Sequence, residues 1–202
     1  DRHSPLYLGQ RAARGGGSFR MIKIRSMTVG ADKTGVESTG AADNRITPLG
    51  HFIRRWKLDE TTQLWNVLVG EMSLVGPRPN TLREVEKYTA AERRLLSVRP
   101  GITDIASIVF SDEGDIIADA ADPDDAYDKL IRPWKSRLGI IYAENSNVLL
   151  DIRLIWLTIL AILDKPKALA GVQAILRKLD ADPAVIAVSR REKPLEPSSA
   201  PA

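Results

Sequence analysis

Apolar residues recur at helical spacing along most of this chain and alternate with polar ones only near its start. Leu6-Tyr7-Leu8 reads as a short strand, Gly15-Gly16-Gly17 as a turn, and Phe19 to Ile24 as a second strand with alternating apolar positions, which together predict a β-hairpin. Residues 28–43 are polar and Gly-rich and predict a mobile loop. Leu49, Phe52, Ile53 and Trp56 then fall at helical spacing, with Arg54, Arg55 and Lys57 on the other face, and Leu64, Trp65, Val67 and Leu68 repeat the pattern. Residues 80–97 read as an amphipathic helix through Leu82, Val85, Tyr88, Leu95 and Leu96, which Val98-Arg99-Pro100-Gly101 breaks. Leu130 to Asn147 is helical again, and Pro133 is expected to start or kink it. Val148 to Leu163 is the most apolar run, interrupted by Asp151 and Arg153. Its sixteen residues rise only ~24 Å as a helix, too short and too charged for a simple span. It reads as a buried helix or as an interfacial helix packed on a membrane. A further helix covers about 168–179, and from residue 180 on a composition rich in Pro, Ala, Ser and charge predicts a disordered tail.

A chain of 202 residues with 44% hydrophobic content can bury one sizeable core. The expectation is a helix-rich α+β domain over 1–179 with one small N-terminal β-hairpin and membrane-interfacial amphipathic helices, followed by a tail over 180–202. Net charge is +3, unevenly placed: residues 1–57 hold eleven Lys/Arg against four Asp/Glu, while 111–128 hold eight acids and no Lys or Arg. The basic third suits phosphates, anionic lipid or nucleic acid. The absence of Cys excludes disulfides and thiolate metal sites and fits a reducing compartment. No run reaches the about 18–20 apolar residues of a membrane span, and no signal peptide or initiator Met is present. The chain opens mid-pattern, so a fragment is expected.

The candidate chemistry lies between Trp56 and Pro79, where adjacent carboxylates Asp59 and Glu60 follow the basic cluster and Gly76-Pro77-Arg78-Pro79 closes the stretch. Asp59 stands where a helix N-cap would be, which would keep it ionised as a nucleophile or metal ligand requires. The plainer alternative makes it a cap and nothing more. Arg78, between two prolines, is a candidate for bidentate phosphate binding, or else a surface Arg on a rigid turn. The acidic run 111–128 lacks the spacing of a calcium loop and reads as a solvated loop and helix cap. His3 and His51 are isolated and read as non-catalytic.

The run Leu58-Asp59-Glu60, Gln63-Leu64, Asn66-Val67-Leu68, Gly70, Met72-Ser73-Leu74 and Gly76-Pro77-Arg78-Pro79 resembles the signature of the bacterial sugar transferases, the monotopic phosphoglycosyl transferases of glycan assembly. The resemblance extends to Ser4-Pro5, Gln10-Arg11, Gly17, Phe19, Lys23 and Arg25-Ser26-Met27, to Asp43, Arg45-Ile46-Thr47 and Gly50, to Val98-Arg99-Pro100-Gly101-Ile102-Thr103, and to Asp151-Ile152 with Thr158. It covers about residues 1–163. Ala13 stands where the family usually has Gly, and Asp104-Ile105-Ala106-Ser107 departs from its commoner continuation. The family also carries a hydrophobic re-entrant helix ahead of the matched segment, which these 202 residues do not include.

What the resemblance implies is transfer of a sugar-1-phosphate from a UDP-sugar to undecaprenyl phosphate with release of UMP, as the first membrane step of exopolysaccharide, lipopolysaccharide or glycoconjugate assembly. By the same resemblance Asp59 is the nucleophile, and Glu60 holds Mg²⁺ or assists proton transfer, the metal set being Glu60 and Asp59. Arg78, Lys23, Arg25 and Arg99 are the phosphate-binding candidates. The implied partners are the donor, the lipid phosphate, a membrane surface and a possible homo-oligomer, on the cytoplasmic face of a bacterial inner membrane. Two rivals remain at this point. One is a non-catalytic membrane-peripheral interaction protein of the same fold. The other, a nucleic-acid module, lacks interleaved aromatics and any binding motif.

Overall fold

The computed structural model describes residues 3–33, 40 and 43–202. The predicted hairpin is present and longer than its sequence pattern. Strand β1 (Leu6–Ala12) pairs antiparallel with β2 (Ser18–Ile24), in a register running from Leu6 opposite Ile24 to Ala12 opposite Ser18. Gly15 and Gly16 turn between them at φ of 78° and 87°, which L side chains resist. Phe19 and Met21 point to one face of β2 and pack on Met72, a small core of their own. Half of the expected mobile loop, 34–39 and 41–42, lies outside the described residues. At its base Met27 bridges to Ile46 and Thr28 N–H donates to Arg45 O.

Helix α1 (Pro48–Arg55) starts at Thr47, whose hydroxyl accepts from Gly50 N–H. A single tight turn over Leu58–Glu60 and helix α2 (Gln63–Leu68) follow. A second sheet was not legible in the sequence: β3 (Ser73–Val75) pairs in parallel with β4 (Gly101–Thr103). Two glycines permit the crossing that follows. A Cβ on Gly76 would lie 2.3 Å from Arg99 O, and one on Gly101 would lie 2.1 Å from Gly76 N. This contact locks the Gly76–Pro79 turn against the Val98–Thr103 segment.

The expected helix over 80–97 is in fact two pieces, α3 (Leu82–Glu86) and a tight helical turn over Glu92–Ser97. The physical cause is a capping box. Thr89 N–H donates to Glu92 Oε2 and Glu92 N–H donates to Thr89 Oγ1, so a new helical start is written into the middle of the apolar pattern.

The main core forms around α4 (Ile105–Val109), covered by α7 (Arg132–Asn145), α8 (Val148–Leu163) and α9 (Lys165–Lys178). The acidic segment supplies two short helices ahead of α7: α5 (Glu113–Ile116) and α6 (Pro123–Ala126), the latter capped by Asp122. Pro133 sits in the first turn of α7, as expected. Helix α8 is half core and half surface: Leu150, Leu154 and Leu157 are buried, while Leu149, Ile152, Trp156 and Leu163 are exposed. No helix among the described residues is long and apolar enough to cross a membrane.

The disordered tail expected from residue 180 is corrected by the structure. Helix α10 (Pro183–Ser189) buries Val185 in the main core. Beyond it, Arg191 pairs with Asp112 at 3.5 Å and lies over the Phe110 ring, Ser198 N–H donates to Lys129 O, and the Thr89 hydroxyl donates to Pro201 O. Local composition could not show this, because every one of these partners is distant in sequence.

Candidate active site

Asp59 is not a helix cap. It lies inside the Leu58–Glu60 turn, and α2 begins four residues later. Lys57, at a left-handed φ of 55°, swings the chain into this turn, a conformation that costs a non-glycine residue ~1–2 kcal/mol. The turn packs between β2 and α1, so Asp59 is buried, only 7% exposed.

The carboxylates are fixed by their neighbours in the fold. Thr62 donates its hydroxyl hydrogen to Ile22 O, and Asn66, 1% exposed, hooks α2 onto β2: its amide donates to Arg20 O at 2.9 Å and its oxygen accepts from Ile22 N–H at 3.1 Å. The Asn of the Asn66-Val67-Leu68 run therefore satisfies backbone groups of the hairpin, which strands need. This clamp sets Lys23, on β2, 4.0 Å from Asp59 Oδ2. Arg78, on the Pro-flanked turn, forms a short charge-assisted hydrogen bond with Glu60 Oε1.

Cations crowd these two acids. Burial first, and then the Arg78 charge, push the Lys23 ammonium down to about 8, against the pull of Glu60 and Asp59. For Glu60 burial works in the opposite sense, but Arg78 and then Lys23 override it and hold the carboxyl at about 2. Glu60 in turn is the largest influence raising Arg78. Arg54 on α1 was not singled out by sequence reasoning as a site residue. Its Nε donates to Ser26 Oγ; burial lowers its pKa and Asp59 is the first charge that counteracts this. Its signal was a basic residue directly after the core-facing Ile53 on a short helix, too weak to distinguish from a solvated face.

The other candidates are not all gathered here. Arg25 follows the end of β2, half-buried, with its N–H donating to Pro5 O. Arg99 is exposed and makes no ion pair among the described residues; its carbonyl packs at Gly76. For Mg²⁺ the donors are of the right type, two carboxylates and no softer ligand. Among the described residues no third His, Cys, Asp or Glu joins them. Asp59 and Glu60 are the residues that would hold such an ion, which would supply charge neutralisation at the turn. Beside the turn, Leu6, Ile22, Thr61, Thr62 and Trp65 line an open, mostly apolar groove.

Two adjacent carboxylates, one buried, under several cations and beside an apolar groove, can bind a phosphorylated ligand and attack phosphorus. Comparison with known proteins shows the family. A family model described as bacterial sugar transferase matches residues 1–165. The galactosyl transferase CpsE of Streptococcus agalactiae is 35% identical over 169 residues, 78% of this chain and 34% of that protein. A UDP-glucose:undecaprenyl-phosphate glucose-1-phosphate transferase of Xanthomonas campestris is 35% identical over 172 residues, 81% of this chain and 33% of its own length. A UDP-N-acetylgalactosamine-undecaprenyl-phosphate N-acetylgalactosaminephosphotransferase of Aeromonas hydrophila is 32% identical over 161 residues, 78% and 35%. The chain thus spans about a third of the length of each of these relatives.

Proposed function

This chain belongs to the bacterial sugar transferase family, and we propose that it transfers sugar-1-phosphate from a UDP-sugar to undecaprenyl phosphate through a covalent intermediate on Asp59. The observation that carries the proposal is the placement of Asp59, buried, and Glu60 in one tight turn beside Lys23 and Arg78. The names of its relatives set the substrate class.

In the first step an Asp59 carboxylate oxygen attacks the sugar-bearing phosphorus, a new P–O bond forms, and the bond to the UMP oxygen breaks. UMP leaves with the electron pair. In the second step a phosphate oxygen of undecaprenyl phosphate attacks the same phosphorus. Asp59 departs as carboxylate, and undecaprenyl-diphosphate-sugar is formed. Both steps bring anions together, so the cations matter most in the transition state. Arg78 keeps donors beyond the one held by Glu60, and these bind the diphosphate; Lys23 neutralises the oxygens nearest Asp59. Arg25 and Arg99 serve as outer phosphate contacts. Mg²⁺, held by Glu60 and Asp59 with diphosphate oxygens, would supply further charge neutralisation.

The lipid acceptor gives the exposed apolar residues a use. Leu49, Phe52 and Trp56 on and beside α1, and Leu64, Trp65 and Leu68 on α2, flank the carboxylate turn and are all at least half exposed. Set on the cytoplasmic face of a bacterial inner membrane, they would bring the turn to the level of the lipid phosphate. The experiment is to supply the full-length protein with Mg²⁺, undecaprenyl phosphate and a panel of UDP-sugars. UMP release that needs Asp59, and that needs lipid to go beyond one equivalent per enzyme, is expected; release of UDP would instead mean transfer of the sugar without its phosphate.

A further inference from the structure

A second charged pair borders this site, and the reaction as described does not use it. Lys135 on α7 has its ammonium 2.7 Å from Glu113 Oε2 and 5.4 Å from the centre of the Tyr127 ring. Two observations place α7 and Glu113 near the Arg78 turn. Gly139 is one helical turn on from Lys135, on the same face of α7. A Cβ there would lie 3.7 Å from Pro77, the residue before Arg78. Glu113 also lies close enough to Arg78 for the two charges to act on each other. Burial opposes ionisation of Glu113, but Lys135, then Arg78 and more weakly Lys57, keep its pKa lowered.

We propose that Glu113 and Lys135 form a second wall of the site that binds hydroxyl groups of the donor's sugar ring, an inference that rests on the nucleotide-sugar reading above. The pair is net neutral, so it adds nothing to the attraction for phosphate that Lys23, Arg54 and Arg78 already supply. A neutral pair of opposite charges suits a neutral, hydroxylated ligand. Glu113 remains 42% exposed at its side chain and spends Oε2 on Lys135, so Oε1 can accept from a hydroxyl. The ammonium, which also hydrogen-bonds Tyr127, keeps one further hydrogen to donate. Tyr127 and Glu113 hold Lys135 in one place, and a fixed donor distinguishes an axial from an equatorial hydroxyl.

The test measures binding of UDP and of UDP-hexoses that differ at one hydroxyl, using the full-length protein, Glu113→Gln and Lys135→Arg, with melting temperatures recorded. Glu113→Gln should weaken the preferred UDP-hexose about tenfold or more and flatten the preference between epimers, while UDP itself binds within about twofold of wild type. Lys135→Arg, which keeps the charge and the pair, should retain much of the preference. Equal weakening of UDP and every UDP-hexose would overturn the inference, since the pair would then only hold the site together. An unchanged epimer preference would overturn it as well. Failure of the wild-type protein to bind UDP in any form would remove the transferase reading, and is recognised by the loss of the UDP signal.

Discussion

The hairpin side and the helical side of this molecule bury different things. Around α4, α7, α8 and α9 the interior is one continuous apolar cluster in which Ile105, Val109, Leu154, Val172 and Leu176 are essentially unexposed, and buried polar groups such as Glu92, Asp104 and Ser136 are few beside it. Around β2, α1 and α2 the apolar core shrinks to Phe19, Met21 and Met72, and the buried residues include Asp59, Gln63 and Asn66. Large apolar side chains there face outward instead. Buried ion pairs contribute little net stability, because desolvation offsets attraction. The helical side therefore holds the fold, and the hairpin side is free to present charge and apolar surface to ligands. Such inversions of the usual inside–outside rule are expected where a protein does chemistry.

The sharpest way to break the comparison is Asp59→Asn. Turnover should fall on the order of 10⁴-fold or more, with melting temperature nearly unchanged because the shape is kept; wild-type-like UMP release would remove Asp59 as nucleophile. Leu176→Ala should do the reverse. It should cost ~2–5 kcal/mol of stability, or ~2–4 °C in Tm per kcal/mol for a chain of this size, while the folded enzyme keeps its KM for donor. Met72→Ala, in a cluster small enough to collapse, should lie near the lower end of that range, and a loss equal to that of Leu176→Ala in thermal melts would mean the two cores are not separate in kind.

Smaller effects test the cations. Arg78→Ala should lower donor kcat/KM by about 10²-fold, the worth of one or two charge-assisted hydrogen bonds, with Lys in its place restoring part; an unaltered value would exclude phosphate contact. Lys23 has its pKa lowered to about 8 by burial and by Arg78, so it is charged below that pH and neutral above it. Donor kcat/KM, which reports the free enzyme, should fall as pH rises through about 8. Lys23→Arg should abolish that limb, and a wild-type profile flat beyond pH 8 would show that Lys23 charge is not needed.

Sequence and structure agree where information is local, and the chain by itself determined the hairpin, α1 and α8, because these need only alternation, helical spacing and turn glycines. It also determined the candidate carboxylates, since the Asp59-Glu60 run is long and contiguous. The split at Thr89 was equally local, in a capping box that the apolar pattern obscured. Lys135 left a fainter trace, a lysine between Trp134 and Leu138 on an otherwise core-facing helix. What only the tertiary structure decided is which charges meet. Asn66 holds Ile22 across 44 residues, Lys135 reaches Glu113 across 22, and Arg191 reaches Asp112 across 79. The parallel pairing of β3 with β4 depends on Gly76 and Gly101 passing closer than any side chain allows. Spacing along a chain reports only neighbours within a turn or two of helix or a strand. Contacts across tens of residues depend on how every element packs, and here that packing joined the cations of β2, α1 and the Pro-flanked turn around two acids.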